Sequence, residues 1–296
     1  MEGFIDTLNG VIWSNALVYL CLGAGAYFTL VTLFLQIRCL PDMIRQLKSG
    51  ESSEQGISSF QSLMISLAGR VGVGNIAGVA TAIAFGGPGA VFWMWLVALL
   101  GSATSFIECC LAQIYKETDR DTGEYRGGPA YYIEKAYKHT SAAPFMLVYA
   151  IIFAVCMLLA TSYFLPGIQA NGVAAAVDNA WGVNIWVSAT IMTVLLAFII
   201  IGGVKRIANF ASMVVPFMAG IYIIIAIVVL FANASQIPEV FGTIVRAAFD
   251  KEAAFSGMLG AAIMWGVKRG IYSNEAGQGT GPQSAAAAEV SHPAKQ

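Results

Sequence analysis

The sequence is poor in charged residues. Asp, Glu, Lys and Arg make up 11% of its 296 residues and hydrophobic residues 57%, whereas about a quarter of a soluble domain is charged. This balance disfavours a soluble globular domain and predicts an integral membrane protein. The 16 basic and 17 acidic side chains nearly cancel, so the chain has no overall basic surface that would attract nucleic acid. We therefore expect no nucleic-acid partner.

Cysteine and histidine are also scarce, with five and two residues respectively. The cysteines have no C-x-x-C spacing and no neighbouring histidine cluster, which argues against a metal site or a disulfide framework. Both histidines, His139 and His292, lie in polar connections, and the apolar segments contain no Ser/His or paired-Asp arrangement. The sequence therefore predicts neither an enzyme nor a protein with a bound cofactor.

Long apolar segments make up most of what is present. A transmembrane helix needs about 20 mainly apolar residues to cross the hydrocarbon of a bilayer. By that rule, seven segments are candidate spans: 12–37, 57–85, 89–115, 143–166, 183–203, 209–231 and 254–272. The second and the seventh are irregular, because glycines and charged residues interrupt them. The predicted fold class is an all-α integral membrane protein.

Positive charge is unevenly distributed among the connections between these segments. Lys and Arg occur in the connections 38–56, 116–142 and 204–208, but not in 86–88 or 167–182. Connections with Lys and Arg thus alternate along the chain with connections without them, and only the connection 232–253 departs from this alternation. Since cytoplasmic loops are enriched in positive charge, the N-terminus is expected outside the cell and residue 296 in the cytoplasm. We expect a multi-pass protein of the cell inner (plasma) membrane.

Two shorter segments, 127–140 and 239–250, are too polar to span a membrane but have helical spacing of apolar and polar residues. We expect each to form a short connecting helix along the membrane interface.

Several ionisable side chains lie inside or next to the apolar segments: Arg70, Glu108, Lys268, Arg269 and Glu275. A charge at membrane depth costs about 2.5 to 3.5 kcal/mol, so each needs a partner, water or a role. One alternative is a structural ion pair of Arg70 with one of the carboxylates. Another is that Glu108 makes a packing or gating contact near the inner surface.

The segment GRVGVGNIAG, residues 69–78, interrupts the second apolar segment. A dinucleotide-binding loop would have G-x-G-x-x-G between a strand and a helix, whereas Gly72, Gly74 and Gly78 give G-x-G-x-x-x-G without a strand. The G-x-x-x-G pair suits close helix packing, but packing alone does not explain the arginine and the asparagine. A discontinuous helix does, because its break exposes backbone carbonyls for a cation and N–H groups for an anionic substrate.

A second interruption occurs in MWGVKRGIYSNEAGQGTGPQSAAAA, residues 264–288. If the first span is an extra helix, five core helices precede this interruption, and an odd number per repeat inverts the second repeat in the membrane. We therefore predict an inverted-repeat architecture. Its parts are an extra transmembrane helix with a cytoplasmic loop at 1–56, a first five-helix repeat at 57–253, and the start of a second repeat at 254–296.

Three long blocks combine tryptophan, glycine and charge in a fixed order: GGPGAVFWMWLVALLG (86–101), GEYRGGPAYYIEKA (123–136) and GVKRGIYSNEAGQGTGP (266–282). In these blocks, and over essentially its whole length, the sequence resembles the alanine or glycine:cation symporter family, the sodium:alanine symporters. The resemblance implies the leucine-transporter-type fold. It also implies symport of alanine or glycine into the cell by alternating access, with sodium as the coupling ion and the lipid bilayer as surroundings.

The resemblance implies roles for residues at the first break. Val73, Gly74 and Asn75 would offer backbone N–H groups to the substrate carboxylate. Ala68 and Val71 would supply carbonyl oxygens to a sodium ion, and the Asn75 side-chain amide is a candidate ligand of a second one.

The segment PGIQANGVA, residues 166–174, is similar to a family segment and would place Gln169 near the substrate. The Asn and Ser that family members often have in this segment are replaced by Pro166 and Gly172. The alternative for each candidate side chain at the breaks is a cap of the helix end without substrate contact.

At the second break, the resemblance implies that Gly266 and Gly270 allow close approach and that Asn274 lines the site. Family members are longer than this sequence, so that core helices seven to ten, one of them expected to supply hydroxyl ligands to sodium, would be missing. We therefore expect a truncated member. Three alternatives to a symporter stay open: an uncoupled amino-acid channel, a membrane amino-acid sensor, and a non-functional truncated symporter.

Overall fold

A computed structural model describes residues 2–48, 56–249 and 258–296, and these residues form helices and one two-stranded hairpin. Long runs of apolar residues favour helices in a membrane, because a helix satisfies its own backbone hydrogen bonds. The first seven helices are α1 (Glu2–Ile12), α2 (Asn15–Val31), α3 (Leu35–Arg38), α4 (Leu40–Lys48), α5 (Ser59–Arg70), α6 (Val73–Gly86) and α7 (Gly89–Tyr115).

The second half of the chain begins with the hairpin of β1 (Glu117–Thr118) and β2 (Tyr125–Arg126). The helices that follow are α8 (Pro129–Tyr137), α9 (Ala143–Leu159), a π-helical turn (Ala160–Phe164), α10 (Leu165–Trp181), α11 (Ile185–Ile200), α12 (Gly203–Ala232), α13 (Ile237–Ala248), α14 (Met258–Asn274) and α15 (Thr280–Ala287). Short 3-10 turns occur at Ala234–Gln236 and Pro293–Lys295.

Within the described residues, five helical stretches are long and apolar enough to cross a membrane: Thr7–Val31, Ser59–Gly86, Gly89–Tyr115, Ala143–Trp181 and Gly203–Ala232. Each overlaps one of the predicted spans, so the all-α membrane class is confirmed. Of the other two predicted spans, α11 is apolar but has 16 residues, and α14 has 17 residues. Residues 254–257 of the predicted seventh span lie outside the described residues. The count of seven therefore stays a prediction.

The predicted connection 167–182 is wrong, because most of it is helix α10. Its polar residues suggested a loop, yet the chain continues from α9 through the π-helical turn without leaving the helix. Pro166, which has no N–H group to donate, lies just after the π-helical turn inside this continuous helix, where a proline removes one backbone hydrogen bond. Gly182, with a left-handed φ of 65°, ends α10. The true connection is short, since Asn184 already caps α11 by accepting a hydrogen bond of 2.9 Å from the Trp186 N–H.

The first span also ends earlier than predicted. Helix α2 stops at Val31, where the Thr32 hydroxyl donates to the Phe28 carbonyl at 2.7 Å. Leu33 and Phe34 then adopt left-handed backbone conformations with φ of 54° and 55°, which an uninterrupted helix does not allow. Helices α3 and α4 occupy much of the predicted connection that follows, and its residues 49–55 lie outside the described part of the chain.

The two predicted connecting helices are confirmed as helices α8 and α13, each with a proline in its first turn. The hairpin before α8 was not predicted. Its turn is built on Asp119, whose Oδ1 accepts hydrogen bonds from the N–H groups of Asp121 at 2.7 Å and Thr122 at 3.0 Å. The Asp119 carboxylate also pairs with Arg126. Short Asp side chains that bond to backbone two residues ahead are a turn signal.

The chain divides into two compact units. Unit one contains residues 1–43, 75–107 and 222–277, and unit two contains residues 44–74, 108–221 and 278–296. The chain changes from one unit to the other after Met43, Gly74, Ile107, Ile221 and Gly277. Unit one therefore contains helix α14 and nearly all of α6, whereas unit two contains α5 and α15.

Each unit has its own buried apolar clusters. In unit one, Val18 of α2, Val97 of α7 and Val267 of α14 pack together. In unit two, Met64 of α5 packs against Val215 of α12. The predicted repeat boundaries at 57–253 and 254–296 stay a prediction.

Candidate functional site

The first predicted break lies between α5 and α6. Helix α5 ends at Arg70 and α6 begins at Val73, so that Val71 and Gly72 interrupt the helix. The Val71 N–H still donates to the Leu67 carbonyl at 2.9 Å, but its φ of -119° and ψ of 71° leave the helical region. The break gives α6 its own N-terminus, where the first N–H groups have no partner inside the helix and the helix dipole is positive.

Unit two brings the predicted residue Gln169 to this break. The Gly74 N–H donates a hydrogen bond of 3.2 Å to Gln169 Oε1, although the two residues are 95 positions apart in the sequence. A Cβ atom added at Gly72 would lie 3.0 Å from both polar atoms of the Gln169 amide. Gln169 thus lies against the interrupted backbone, with an acceptor on the positive end of α6.

Gly172 lies one turn after Gln169 on α10 and faces the same break. A Cβ atom at this position would overlap Cγ1 of Val73, so the absence of a side chain lets α10 approach the start of α6. Sequence reasoning treated Gly172 only as a departure from a family pattern. The contact with Val73 had no local signal in the sequence.

The other residues predicted for this break differ in exposure. Gly74 is buried, Val71 and Val73 are half-buried, and Ala68 in the last turn of α5 is exposed. Asn75, the first residue of unit one after the break, is buried with 8% of its surface exposed. The roles of Ala68, Val71 and Asn75 as sodium ligands stay predictions.

The second predicted break separates α14 from α15. Between Asn274 and Thr280 the backbone takes left-handed conformations at Glu275, Gly277 and Gly279, with φ of 56°, 84° and 90°. Such angles stop a right-handed helix and favour glycine. Glu275 adopts one without being a glycine, and it is buried with 9% of its surface exposed.

Asn274 caps the end of α14 in unit one. Its Nδ2 donates to the Val97 carbonyl at 3.0 Å, and its Oδ1 accepts from the Ala276 N–H at 2.9 Å. Both ends of the amide are therefore engaged with backbone. This geometry is the helix-break cap that was the alternative to a substrate ligand, and the substrate role stays a prediction.

Gly266 and Gly270 lie where α14 crosses α7. A Cβ atom at Gly266 would lie 2.5 Å from the Ala90 carbonyl oxygen and 2.6 Å from Cβ of Trp93. At Gly270 it would lie 3.0 Å from Cβ of Val97. Small residues at such positions let the backbones of two membrane helices come close together. The two glycines therefore let α14 pack closely on α7, and their part in the substrate site stays a prediction.

The two cations of α14 lie near aromatic rings in unit one. The Lys268 ammonium lies 5.8 Å from the ring centroid of Trp13 and 6.0 Å from that of Trp265. The Arg269 guanidinium lies 5.7 Å from the Trp265 ring centroid. Cation–π contacts of this length partly offset the cost of a charge in an apolar environment.

Glu108 in α7 lies near Tyr132 of α8 in unit two. Burial raises the pKa of the Tyr132 phenol, and the negative charge of Glu108 raises it further. The phenol therefore stays neutral, as a partner near a carboxylate must if the two are not to repel each other. The packing or gating role of Glu108 stays a prediction.

A polar contact in unit two joins α5, which precedes the first break, to α15, which follows the second. The hydroxyls of Ser66 in α5 and Ser284 in α15 lie 2.6 Å apart. Sequence reasoning did not select either serine. The only available signal was their position in short runs of small residues beside each break.

Comparison with known proteins gives one family over the whole chain. Residues 1–296 match the sodium:alanine symporter family. The chain is 54% identical over 296 residues to the putative sodium/proton-dependent alanine carrier protein YrbD of Bacillus subtilis, covering 100% of this chain and 59% of YrbD. It is 46% identical over 298 residues to the probable sodium/glutamine symporter GlnT of the same organism, covering 100% of this chain and 60% of GlnT.

A similar relation holds to an archaeal protein. The chain is 42% identical over 295 residues to the sodium/alanine symporter AgcS of Methanococcus maripaludis, covering 99% of this chain and 64% of AgcS. The chain thus spans about three fifths of the length of these relatives. With its long apolar helices and a match along its whole length, this chain belongs to the sodium:alanine symporter family.

Proposed function

We propose that this chain carries the substrate-binding breaks of a symporter that brings a small neutral amino acid, alanine or glycine, into the cell together with sodium. Family membership and the names of YrbD and AgcS support this function. Because the chain spans about three fifths of its relatives, the activity belongs to a protein of their length. The observation that carries the proposal is the hydrogen bond between Gly74 N–H and Gln169 Oε1 at the first break.

The proposed substrate contact uses the N-terminus of α6. The carboxylate of the amino acid binds the N–H groups of Val73, Gly74 and Asn75, where the positive end of the helix dipole favours an anion. In the present structure the Gln169 oxygen takes one of these N–H groups. Substrate binding replaces that neutral acceptor by a charged one, and a charged acceptor gives the stronger hydrogen bond. The released Gln169 oxygen is then available to the substrate ammonium group.

The proposed sodium contacts use the other side of the same break. Carbonyl oxygens at the end of a helix lack the next turn of N–H donors, and unwound carbonyls of broken membrane helices are known ligands of sodium. Ala68 and Val71 lie in this position at the end of α5. The Asn75 amide is the proposed ligand of a second ion. Gly266, Gly270 and Asn274 remain proposed contributors from the second break.

Alanine is the preferred substrate because the relative at 54% identity is named for alanine. Glutamine is the second candidate, since the relative at 46% identity is named for sodium and glutamine. A larger side chain needs room beside the break, and the tight contact of Gly172 with Val73 leaves none at that point.

We also propose the topology on which this mechanism depends. The fold is a leucine-transporter-type inverted repeat, and the chain contributes seven spans to it. The protein lies in the cell inner (plasma) membrane, with the N-terminus outside and residue 296 in the cytoplasm. The structure supports one part of this. Ile57, Lys116 and Ala288, which this topology assigns to the cytoplasmic side, lie close together in unit two.

Sodium coupling has a direct test. Cells or proteoliposomes containing this chain within a protein of the relatives' length are expected to take up labelled alanine saturably, and replacing sodium by choline should abolish this uptake. Binding of labelled alanine to the purified chain, with and without sodium, is measured in parallel. Uptake that is unchanged in choline would contradict sodium coupling. Sodium-dependent binding without accumulation would favour a sensor, and flux that only equilibrates alanine across the membrane would favour a channel.

A further inference from the structure

The end of helix α15 is held by side chains from α7 in unit two. Gln113, near the end of α7, has 7% of its surface exposed. Its Nε2 donates hydrogen bonds to the Ala285 carbonyl and, at 2.9 Å, to the Ala288 carbonyl. The Ala285 carbonyl also accepts the Ala288 N–H at 3.1 Å, whereas the carbonyl of the cap residue Ala288 lies beyond the last helical N–H groups. A buried glutamine therefore satisfies the open end of this helix.

Lys116 adds a charge at the same end. Its Nζ donates to the Ala288 carbonyl at 2.6 Å and lies 4.1 Å from the centroid of the Tyr125 ring. A cation at the C-terminus of a helix interacts favourably with the helix dipole. Burial lowers the pKa of Lys116, and the nearby Glu289 opposes this shift. The amine thus gives up part of its hydration for contacts with a carbonyl, a ring and a carboxylate.

The start of α5 is fixed to the same segment. The Ile57 N–H donates to the Ala287 carbonyl at 3.0 Å, and the Glu289 N–H donates to the Ile57 carbonyl at 3.2 Å. Ile57 and Ala288 face each other in a parallel bridge and have 2% and 0% of their surfaces exposed. A Cβ atom at Gly56 would overlap the Ala287 carbonyl, so any side chain at this position would push the two segments apart.

Taken together, these contacts fix the start of α5, the end of α7 and the end of α15 to one another. On the proposed topology, all three ends lie at the cytoplasmic face. We propose that Gln113 and Lys116 form a latch on the carbonyls of Ala285 and Ala288, and that this latch must open before the transport site can open to the cytoplasm. The inference rests on the proposed function, and neither residue touches the substrate. Both are positioning residues.

The two latch residues differ in how easily they can be released. Gln113 is buried and makes two hydrogen bonds, so its release leaves its own amide and two carbonyls without these partners. Lys116 is half-buried, lies at the edge of the cluster and donates a hydrogen bond to the Ala288 carbonyl that a water molecule can replace. Lys116 is therefore the residue that opens first, and its substitution should shift the equilibrium without dismantling the segment.

The test uses a thiol introduced behind the latch. Ser284 is chosen because it is buried, with 8% of its surface exposed. Ser284→Cys is made in a chain whose five native cysteines are replaced by alanine, so that the maleimide reacts only with the new thiol. Labelling by a membrane-impermeant maleimide is followed in inside-out and right-side-out vesicles. Lys116→Met should raise the labelling rate in inside-out vesicles at least about tenfold, the factor expected from the loss of one hydrogen bond to a charged group. Lys116→Arg, which keeps the charge and the donor, should restore slow labelling.

The matched control is Lys138→Met, which removes the same charge at an exposed position after α8. It should leave the labelling rate unchanged. If Ser284→Cys is labelled in inside-out vesicles at the same rate with Lys116→Met as with Lys116 retained, the proposal is overturned. Faster labelling from both sides, which indicates general unfolding, or faster labelling in right-side-out vesicles alone would also overturn it. Sodium-dependent alanine binding, measured on the same variants, reports on the proposed function separately, because the labelling readout requires no substrate.

Discussion

Replacing Gln169 by glutamate is expected to abolish alanine uptake. The Gln169 oxygen already accepts the Gly74 N–H at 3.2 Å, and a carboxylate in the same place would form a stronger, charge-assisted bond to the N-terminus of α6. It would also repel the carboxylate of the substrate, and like charges brought together in a binding site cost several kcal/mol. The initial rate of sodium-dependent uptake at low alanine concentration should fall at least about 100-fold, which corresponds to about 2.7 kcal/mol.

The control for this variant is Asn179→Asp, which makes the same change of charge on the same helix at an exposed position near its end. Its uptake should stay close to that of the unaltered chain. Gln169→Ala separates occupation of the N–H groups from contact with the substrate: a raised KM indicates that Gln169 binds the amino acid, whereas a lowered KM indicates that it competes with it. Normal uptake by the Gln169→Glu variant would contradict the assignment of the α6 N-terminus as the carboxylate site.

Replacing Gly266 by valine is expected to disrupt the packing of α14 on α7. The added Cβ atom would lie 2.5 Å from the Ala90 carbonyl oxygen and 2.6 Å from Cβ of Trp93, so the backbones must separate. Overpacking of a tight contact costs about 1 to 3 kcal/mol or more. The midpoint of thermal unfolding, followed by size-exclusion chromatography of heated samples, should fall clearly.

Gly260→Val is the matched control for this change. Gly260 lies on the same helix, and an added Cβ atom there has no heavy atom within 4 Å among the described residues. Both variants replace glycine by the same β-branched residue, so any difference between them comes from the contact with α7 and not from helix propensity. Equal unfolding midpoints for the two variants would show that the close approach at Gly266 does not contribute to stability.

The spans could be predicted because length and hydropathy suffice to identify a membrane helix. The errors lie where a helix continues through polar residues or ends inside an apolar run. The segment 167–182 was predicted to be a connection between two spans, but α10 continues through it to Trp181. Leu33 and Phe34 suggested a continuing span, but their left-handed backbone ends it. Composition does not report either event, because backbone conformation at these points follows from tertiary contacts.

The sequence likewise predicted the position of the candidate site but not the long-range contacts that form it. Glycines at 72, 74 and 78 indicated the position of the first break, which the structure has at Val71 and Gly72. The resemblance implied a close approach at Gly266 and Gly270, but not that they pack against α7. The resemblance alone suggested Gln169, and nothing suggested Gln113. Contacts between residues far apart in sequence have no periodic pattern, so only the folded chain reveals them.

The π-helical turn at Ala160–Phe164 has a consequence for how Gln169 is aimed. Each residue turns an α-helix by about 100°, and a π-type turn accommodates one residue more than an α-helical turn does. The Leu165 N–H reaches back to the Ala160 carbonyl, which rotates everything after it by that amount. Without the extra residue, Gln169 would be turned by about 100° around the helix axis relative to its present position beside Gly74. The identity of the side chain at 169 therefore matters only together with the phase of the helix that carries it.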